Sequence, residues 1–367
     1  MRKFIVLLLT VVSVCVANAQ IAKVYKTVNG VSQLVYAVEN SDSIVFCSSS
    51  TTDTSSEVNA EIAYWPYCKE KALCFTWDDG LKVQTPLLME MFDRYDFKTT
   101  FFIPTYQFAN NGTTYSKELR PIYSRLIEHG HEIGSHSRNN VVLTTVSLDS
   151  VDYECRQSAY EIEQFYDYKP VSFAHVSRKY NFDIDTIVLK YFFTERFGSI
   201  LQYPNRRVHT VTSADTYDWL VWELEKEFMP SNDMWMVYSG HGISGESIVD
   251  SIVYEPIDSL VLDNYLKLIK NTYNDVLWVA TYDNIAIYEY LRENVSIRYG
   301  ADYIYVDTTV VQDVIDMYQR PNAHLTLILD GNITRILPSP AIIDMKKKRG
   351  RNYVTIDLRK SNYIFYE

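Results

Sequence analysis

Two adjacent carboxylates, Asp78 and Asp79, end a short apolar run over 72–75 and are followed at once by Gly80. At the carboxyl end of a buried strand, two such acids repel each other and are poorly solvated unless a cation sits between them. A metal ion meets that need. One carboxylate binds it, and the other acts as general base on the water that it polarises. Further polar residues hold the same position relative to apolar runs. His136 follows the run that begins at His131, His175 ends 171–175, His241 follows the strand that starts at Trp235, and Asp283 follows 278–281. An Asp at such a junction can simply cap a helix, but two adjacent acids with a glycine favour a site. His136 and His241 lie past strand ends among small residues, which favours function. His129 and His131 precede or begin their strand and read as structural. For His175 both readings stay open.

The elements that must position these residues alternate. Apolar strand candidates fall at 72–76, 99–103, 131–134, 171–175, 192–197, 208–212, 234–239 and 276–280. Between them run stripes at helical spacing: Leu87, Leu88, Met91, Phe92 and Tyr95; Leu119, Ile122, Tyr123, Leu126 and Ile127; Val151, Cys155, Ala159 and Ile162; Leu262, Tyr265, Leu266 and Ile269. Strands alternating with helices imply a parallel sheet. Seven or eight units in one run point to an α/β fold closed into a (β/α) barrel, whose strand ends converge on one rim. The barrel is expected over 62–295. Before it, 20–47 reads as a β-hairpin about Asn29-Gly30, and the Ser- and Thr-rich stretch 48–61 as a linker. After it, 296–367 reads as a small β-domain, with a hairpin at Asp330-Gly331 joining 324–329 to 333–337. The basic run 346–349, with Arg351, reads as a solvated turn.

The chain has 367 residues, 47% of them hydrophobic, enough for one large core and against global disorder. Its formal net charge of −11 argues against nucleic acid or an anionic membrane as partner. The first 19 residues read as a signal peptide: Arg2 and Lys3, an apolar core over 4–16, and Ala17-Asn18-Ala19 before a cut at Gln20. Export to the periplasm, the cell surface or the medium is expected, with no later transmembrane segment. Cys47, Cys68, Cys74 and Cys155 remain after the cut and match no zinc-binding spacing. Export permits a disulfide, for which Cys47–Cys68 is one candidate; Cys74 reads as a small core residue.

Thr76-Trp77-Asp78-Asp79-Gly80, His136-Ser137 and the late stretch 238–243 with His241 resemble, in this order, motifs of the NodB-homology polysaccharide deacetylases, carbohydrate esterase family 4. The resemblance spans about residues 70–295 and implies a distorted (β/α) barrel of the glycoside hydrolase/deacetylase type. It also implies a metal-dependent hydrolase that removes N-acetyl or O-acetyl groups from an acetylated polysaccharide. Asp79 and His136 would bind a divalent metal, zinc by expectation. Asn140, standing where the family has a second His, would complete or assist the shell as a weaker, neutral ligand. Asp78 would be the base and His241 the acid, giving a bell-shaped pH–rate profile. The family's third motif is altered here to Phe173-Ala174-His175-Val176-Ser177-Arg178-Lys179-Tyr180. Arg178 is a candidate to orient Asp78, and His175 a candidate to face substrate or metal. Trp77 and Tyr180, with Trp219, are candidate aromatic walls of a sugar groove. The divergent metal motif also leaves a second reading, a non-catalytic glycan-binding relative.

Overall fold

The computed structural model describes residues 21–28, 31–39, 58–110, 113–199, 205–245, 253–300, 302–318, 323–331 and 333–367. The chain divides into two compact units, Met1–Ser55 and Ser56–Glu367. In the first, Ile21–Val28 pairs antiparallel with Val31–Glu39, flanking the expected turn, with a register shift between Val24 and Tyr25. The expected signal segment, Cys47 and most of the expected linker lie outside the described residues.

The second unit is built on eight parallel strands: β1 Lys71–Asp78, β2 Thr100–Ile103, β3 Glu132–Ser135, β4 Ser172–Ala174, β5 Thr194–Arg196, β6 Arg206–Thr210, β7 Trp235–Gly240 and β8 Leu277–Val279. Seven of them follow the order β5-β4-β3-β2-β1-β7-β6, and β8 joins β1. This curled sheet is the distorted (β/α) barrel that the resemblance implies; among the described residues its end strands β5 and β6 do not pair with each other, so it is not closed as the alternation alone predicts. β1 is its centre and is buried along its whole length. Covered on both faces, a parallel strand reads as a near-continuous apolar run. β7 lies along one edge of β1 from Ala72 to Trp77. The other edge is shared: β8 pairs with residues 71–73 and β2 with residues 76–78. β8 is therefore set back toward the amino-terminal end of the sheet.

The helices pack outside: α1 Gln84–Asp93, α2 Thr114–Glu128, α3 Leu148–Tyr166, α4 Phe182–Val188, α5 Tyr217–Trp222, α6 Ser259–Leu268 and α7 Tyr282–Asn294. Thr113, Ser147, Asn181, Thr216 and Asp258 precede five of them, and each side chain accepts a backbone N–H of the first turn. Such caps satisfy donors that no helical carbonyl can reach. The buried faces follow the expected stripes, as in Leu119, Tyr123 and Leu126 on α2 and Leu262, Tyr265 and Leu266 on α6. Among the described residues, no helix is long and apolar enough to cross a membrane.

The C-terminal strands share their core with the barrel. Ile304, Leu325, Leu327, Val354 and Ile356 pack in one apolar cluster with Trp65, Trp235, Trp278 and Tyr288. The hairpin expected at Asp330-Gly331 does not form. Both edges of His324–Asp330 are taken, by Arg351–Asp357 and by Asn59–Ile62 from the end of the expected linker. The hairpin lies instead between Ile342–Lys348 and Arg351–Asp357, turning through Arg349 and Gly350 at φ 51° and 83°. Most of the basic run thus belongs to a strand, from which Lys348 reaches Glu70 at 3.2 Å. Cys68, Cys74 and Cys155 are buried free thiols. Burial pushes Cys74 up to about 12, which fits an inert core residue.

Candidate active site

A cleft of about 660 Å³ opens at the carboxyl-terminal rim of the sheet, lined by Asp78, Asp79, His136, Asn140, His175, Arg178 and His241, with Thr210, Thr212 and Tyr254. Asp78 is the last residue of β1. Asp79 and Gly80 then turn the chain at φ 69° and 56°. A Cβ on Gly80 would come within 2.9 Å of the Ile103 side chain, so only glycine passes there. Two side chains hold the turn: Gln107 donates to the Asp79 carbonyl at 2.7 Å and Tyr123 to the Gly80 carbonyl at 2.5 Å. The left-handed backbone separates the two acids, giving each a different neighbourhood. Asn140, Ser177 and Arg178 on the same wall also sit at positive φ, 54–55°. Non-glycine residues in that region cost about 1–2 kcal/mol each, and such strain gathers at functional sites.

Asp78 is buried and faces the barrel interior beside Thr76. Arg196, at the end of β5, donates to Asp78 Oδ2 at 2.5 Å and to Thr76 Oγ1 at 2.6 Å. Its guanidinium also lies 4.8 Å from the centre of the Phe102 ring. Burial alone would push the Asp78 carboxyl up. Arg196, with His136 and His241, outweighs that and holds it below the usual carboxylate range. Asp78 is therefore ionised at neutral pH, with Oδ1 buried and without a hydrogen-bond partner.

Asp79, His136 and Asn140 meet on the other side of the turn. His136 Nδ1 donates to the Ala174 carbonyl at 2.8 Å, which leaves the Nε2 lone pair for the cleft. Nε2 stands 4.0 Å from Asp79 Oδ1, and the Asn140 amide donates to that same oxygen at 3.1 Å. Burial lowers the His136 imidazole against the pull of Asp78 and Asp79 and so favours its neutral form. A carboxylate, a neutral imidazole and an amide whose oxygen can rotate inward form a donor set that suits a divalent cation. The residues present therefore fit a metal.

His241 lies on the far wall just past β7, edge-to-face with Tyr254 at 5.2 Å between ring centres. His175 also lines the cleft, but its Nε2 turns away to Glu195 at 3.0 Å and Asp185 at 3.4 Å. Arg178 lines the cleft too, stacked over Phe197 at 5.1 Å, while the carboxylate it was expected to orient is held by Arg196. Trp77 is not a cleft residue. The strand pleat sends it to the face opposite Asp78, where its indole donates to Thr99 at 3.1 Å and packs on Phe92. Tyr180 stands near His175, ring centres 5.6 Å apart, and is not among the lining residues. Trp219 stacks at 4.6 Å on His209, next to the lining Thr210.

Asp283 does not reach this rim. Because β8 is set back, Asp283, four residues past its end and in the first turn of α7, meets the start of β3, where its N–H donates to Glu132 at 2.9 Å. His129 and His131 are structural: both hydrogen-bond Asp93, at 2.6 and 3.2 Å. Sequence reasoning missed Arg196. The rule that singled out polar residues at strand ends finds it once it is applied to the fifth run, 192–197.

Residues 67–194 match the family model described as polysaccharide deacetylase. No curated protein matches the chain. Similar solved structures include a peptidoglycan deacetylase, PdaC, from Bacillus subtilis (14% identity, 61% of this chain and 94% of that one, TM-score 0.42). A family 4 acetyl xylan esterase from Clostridium thermocellum, in complex with a cobalt ion, has 18% identity over 59% of this chain and 90% of that one, TM-score 0.42. A CE4 family pseudoenzyme from Bacillus anthracis has 13% identity over 60% and 66%, TM-score 0.40. With the paired acids at the end of the first barrel strand and His136 at the end of the third, the segment 67–194 is a polysaccharide deacetylase domain.

Proposed function

We propose that this protein is an exported, metal-dependent hydrolase that removes N-acetyl or O-acetyl groups from a polysaccharide. The observation that carries the reading is the division of labour in the cleft. One acid is held ionised by an arginine, the other is grouped with a neutral imidazole and an amide, and a second histidine stands on the opposite wall. The leader pattern of residues 1–19 supports export, and the acidic chain argues against nucleic acid as partner.

Asp79 and His136, assisted by Asn140, would hold the cation, zinc by its donor set. When bound it supplies Lewis acidity, polarising the acetyl carbonyl and the attacking water. Asp78 takes a proton from that water as its oxygen bonds to the acetyl carbon. Arg196 keeps Asp78 ionised and fixes its direction through the tie to Oδ2, leaving Oδ1 for the proton. As the bond from carbon to the sugar nitrogen or oxygen breaks, His241 gives its proton to the leaving amine or alcohol. The protein is then reset by proton exchange between Asp78, His241 and solvent.

Acetate release from chitooligosaccharides and from acetylated xylan, followed with and without added zinc, tests the reading. Zinc-dependent release from either class is the expected result and names the linkage. No release from either, together with retained binding to the same glycans, would establish the non-catalytic glycan-binding alternative.

A further inference from the structure

We propose that His175, Asp185 and Glu195 form a second cation site, suited to zinc or manganese, buried behind the cleft wall and separate from Asp79, His136 and Asn140. The three come from successive elements: the residue after β4, the first turn of α4, and β5. Phe173 and Glu195 are register partners on the helix-facing side of the sheet. The cluster therefore lies between sheet and α4, among Phe173, Ile184, Val188 and Phe192.

The donor atoms are already gathered. His175 Nε2 is 3.0 Å from Glu195 Oε2 and 3.4 Å from Asp185 Oδ1, and all three atoms lie within 4.8 Å of one another. Ligands held at about 2.0–2.2 Å from one ion stand roughly 3–3.6 Å apart. One imidazole and two carboxylates suit zinc or manganese.

Charge and hydrogen bonding point the same way. The side chains of His175, Asp185 and Glu195 are all fully buried. Two carboxylates and one imidazole buried together in an apolar cluster form a setting that a cation between them would stabilise. An independent observation is Asp185 Oδ1, which accepts no hydrogen bond although it is aimed at the cluster. The single Nε2 hydrogen goes to the nearer Glu195. The other Asp185 oxygen is satisfied by the Ser199 N–H at 2.6 Å and hydroxyl at 2.5 Å, which fixes the carboxylate's direction. The adjoining loop is shaped around the second acid: a Cβ on Gly198 would fall 1.8 Å from Glu195 Oε1. Outer hydrogen bonds that aim carboxylates are a regular part of metal sites. An ion here would pin β5 to β4 and α4, and β5 carries Arg196.

The test uses the mature chain with the cleft ligands removed, Asp79→Asn/His136→Ala. The protein is equilibrated with zinc, freed of excess by gel filtration and analysed for metal, with the melting temperature recorded before and after EDTA. One equivalent of zinc and a Tm that falls by several degrees in EDTA are expected, and adding Asp185→Asn should abolish both. No zinc in the folded cleft variant, with a Tm indifferent to EDTA, would overturn the proposal in favour of a triad that only shares protons. Zinc retained after Asp185→Asn would overturn it as well. If Asp185→Asn does not fold, the cleft variant alone decides. Failure of the deacetylase reading leaves this outcome untouched, because no turnover is measured.

Discussion

Asp78 and Asp79 are neighbours in sequence with different surroundings, and the difference comes from one backbone rotation and one arginine. The Arg196 fork spans Thr76 Oγ1 and Asp78 Oδ2, a two-point hold that a point-charge ammonium does not reproduce. Arg196→Met is therefore expected to lower kcat by about 10²–10⁴, the usual worth of a positioned acid–base group, with metal content unchanged. Arg196→Lys should recover little of it. Steady-state kinetics and elemental analysis on the same preparations check both. At this scale the sequence was informative where a residue's position along a strand decides its direction, as for Asp78, Asp79, His136 and His241. It was misleading for Trp77, where the same pleat that aims Asp78 inward aims its neighbour at α1. Arg178 is the candidate partner of Asp78 in the sequence because it lies in the altered third motif, where Arg196 does not. Which arginine reaches the acid depends on the pairing of β4 with β5, which sequence does not display.

The element that most changes the sequence picture is β8. Its eight-residue neighbour β1 gives it only residues 71–73, so Asp283 ends beside Glu132, level with Thr76 and below the rim that carries His136. The strand was legible; its stagger was not, because stagger is set by competition with β2 for one edge. The result is a fully buried acid pair. Burial, aided by Asp283, pushes Glu132 well up, and burial raises Asp283 to about 6 despite hydrogen bonds from Thr281 and Asn284. The sign follows from linkage. Groups whose folded pKa is raised contribute stability that is fully present below their unfolded pKa of about 4. For Asp283 that contribution is lost as pH rises through its folded value of about 6, and Glu132, also raised, adds to the loss. The pair should therefore destabilise the protein between pH 4.5 and 7.5. Glu132→Gln, which can keep the hydrogen bonds to Thr100 and Asp283, should flatten that part of the profile. Urea denaturation of both proteins at the two pH values measures it, and an unchanged difference would show that the pair does not share protons as described.

Over the whole molecule, the barrel and the C-terminal strands depend on one another. Alternation and turn signals pointed to β-structure after residue 295. The hairpin was misplaced because the partners of His324–Asp330 come from far away in sequence, one of them from residues 59–62. Trp65, Trp278 and Tyr288 meet Leu325, Leu327 and Val354 in a common core. Each large apolar side chain so buried is worth about 1.5–3 kcal/mol, and typical total stabilities are only about 5–15 kcal/mol. Truncation after Asn294 is expected to give an insoluble or unfolded barrel, checked by expression and circular dichroism; a soluble, cooperatively melting fragment would contradict the shared core. The same architecture brings Asp78, Asp79, His136 and His241 to one rim, and the account stands or falls on their separate roles. The most direct measurement is metal content and acetate release, read on the same samples of wild type, Asp78→Asn and Asp79→Asn. The account predicts that Asp78→Asn keeps its metal and loses turnover, and that Asp79→Asn loses one equivalent of metal together with turnover. Equal metal loss in both folded variants, or continued acetate release by Asp78→Asn, would contradict it.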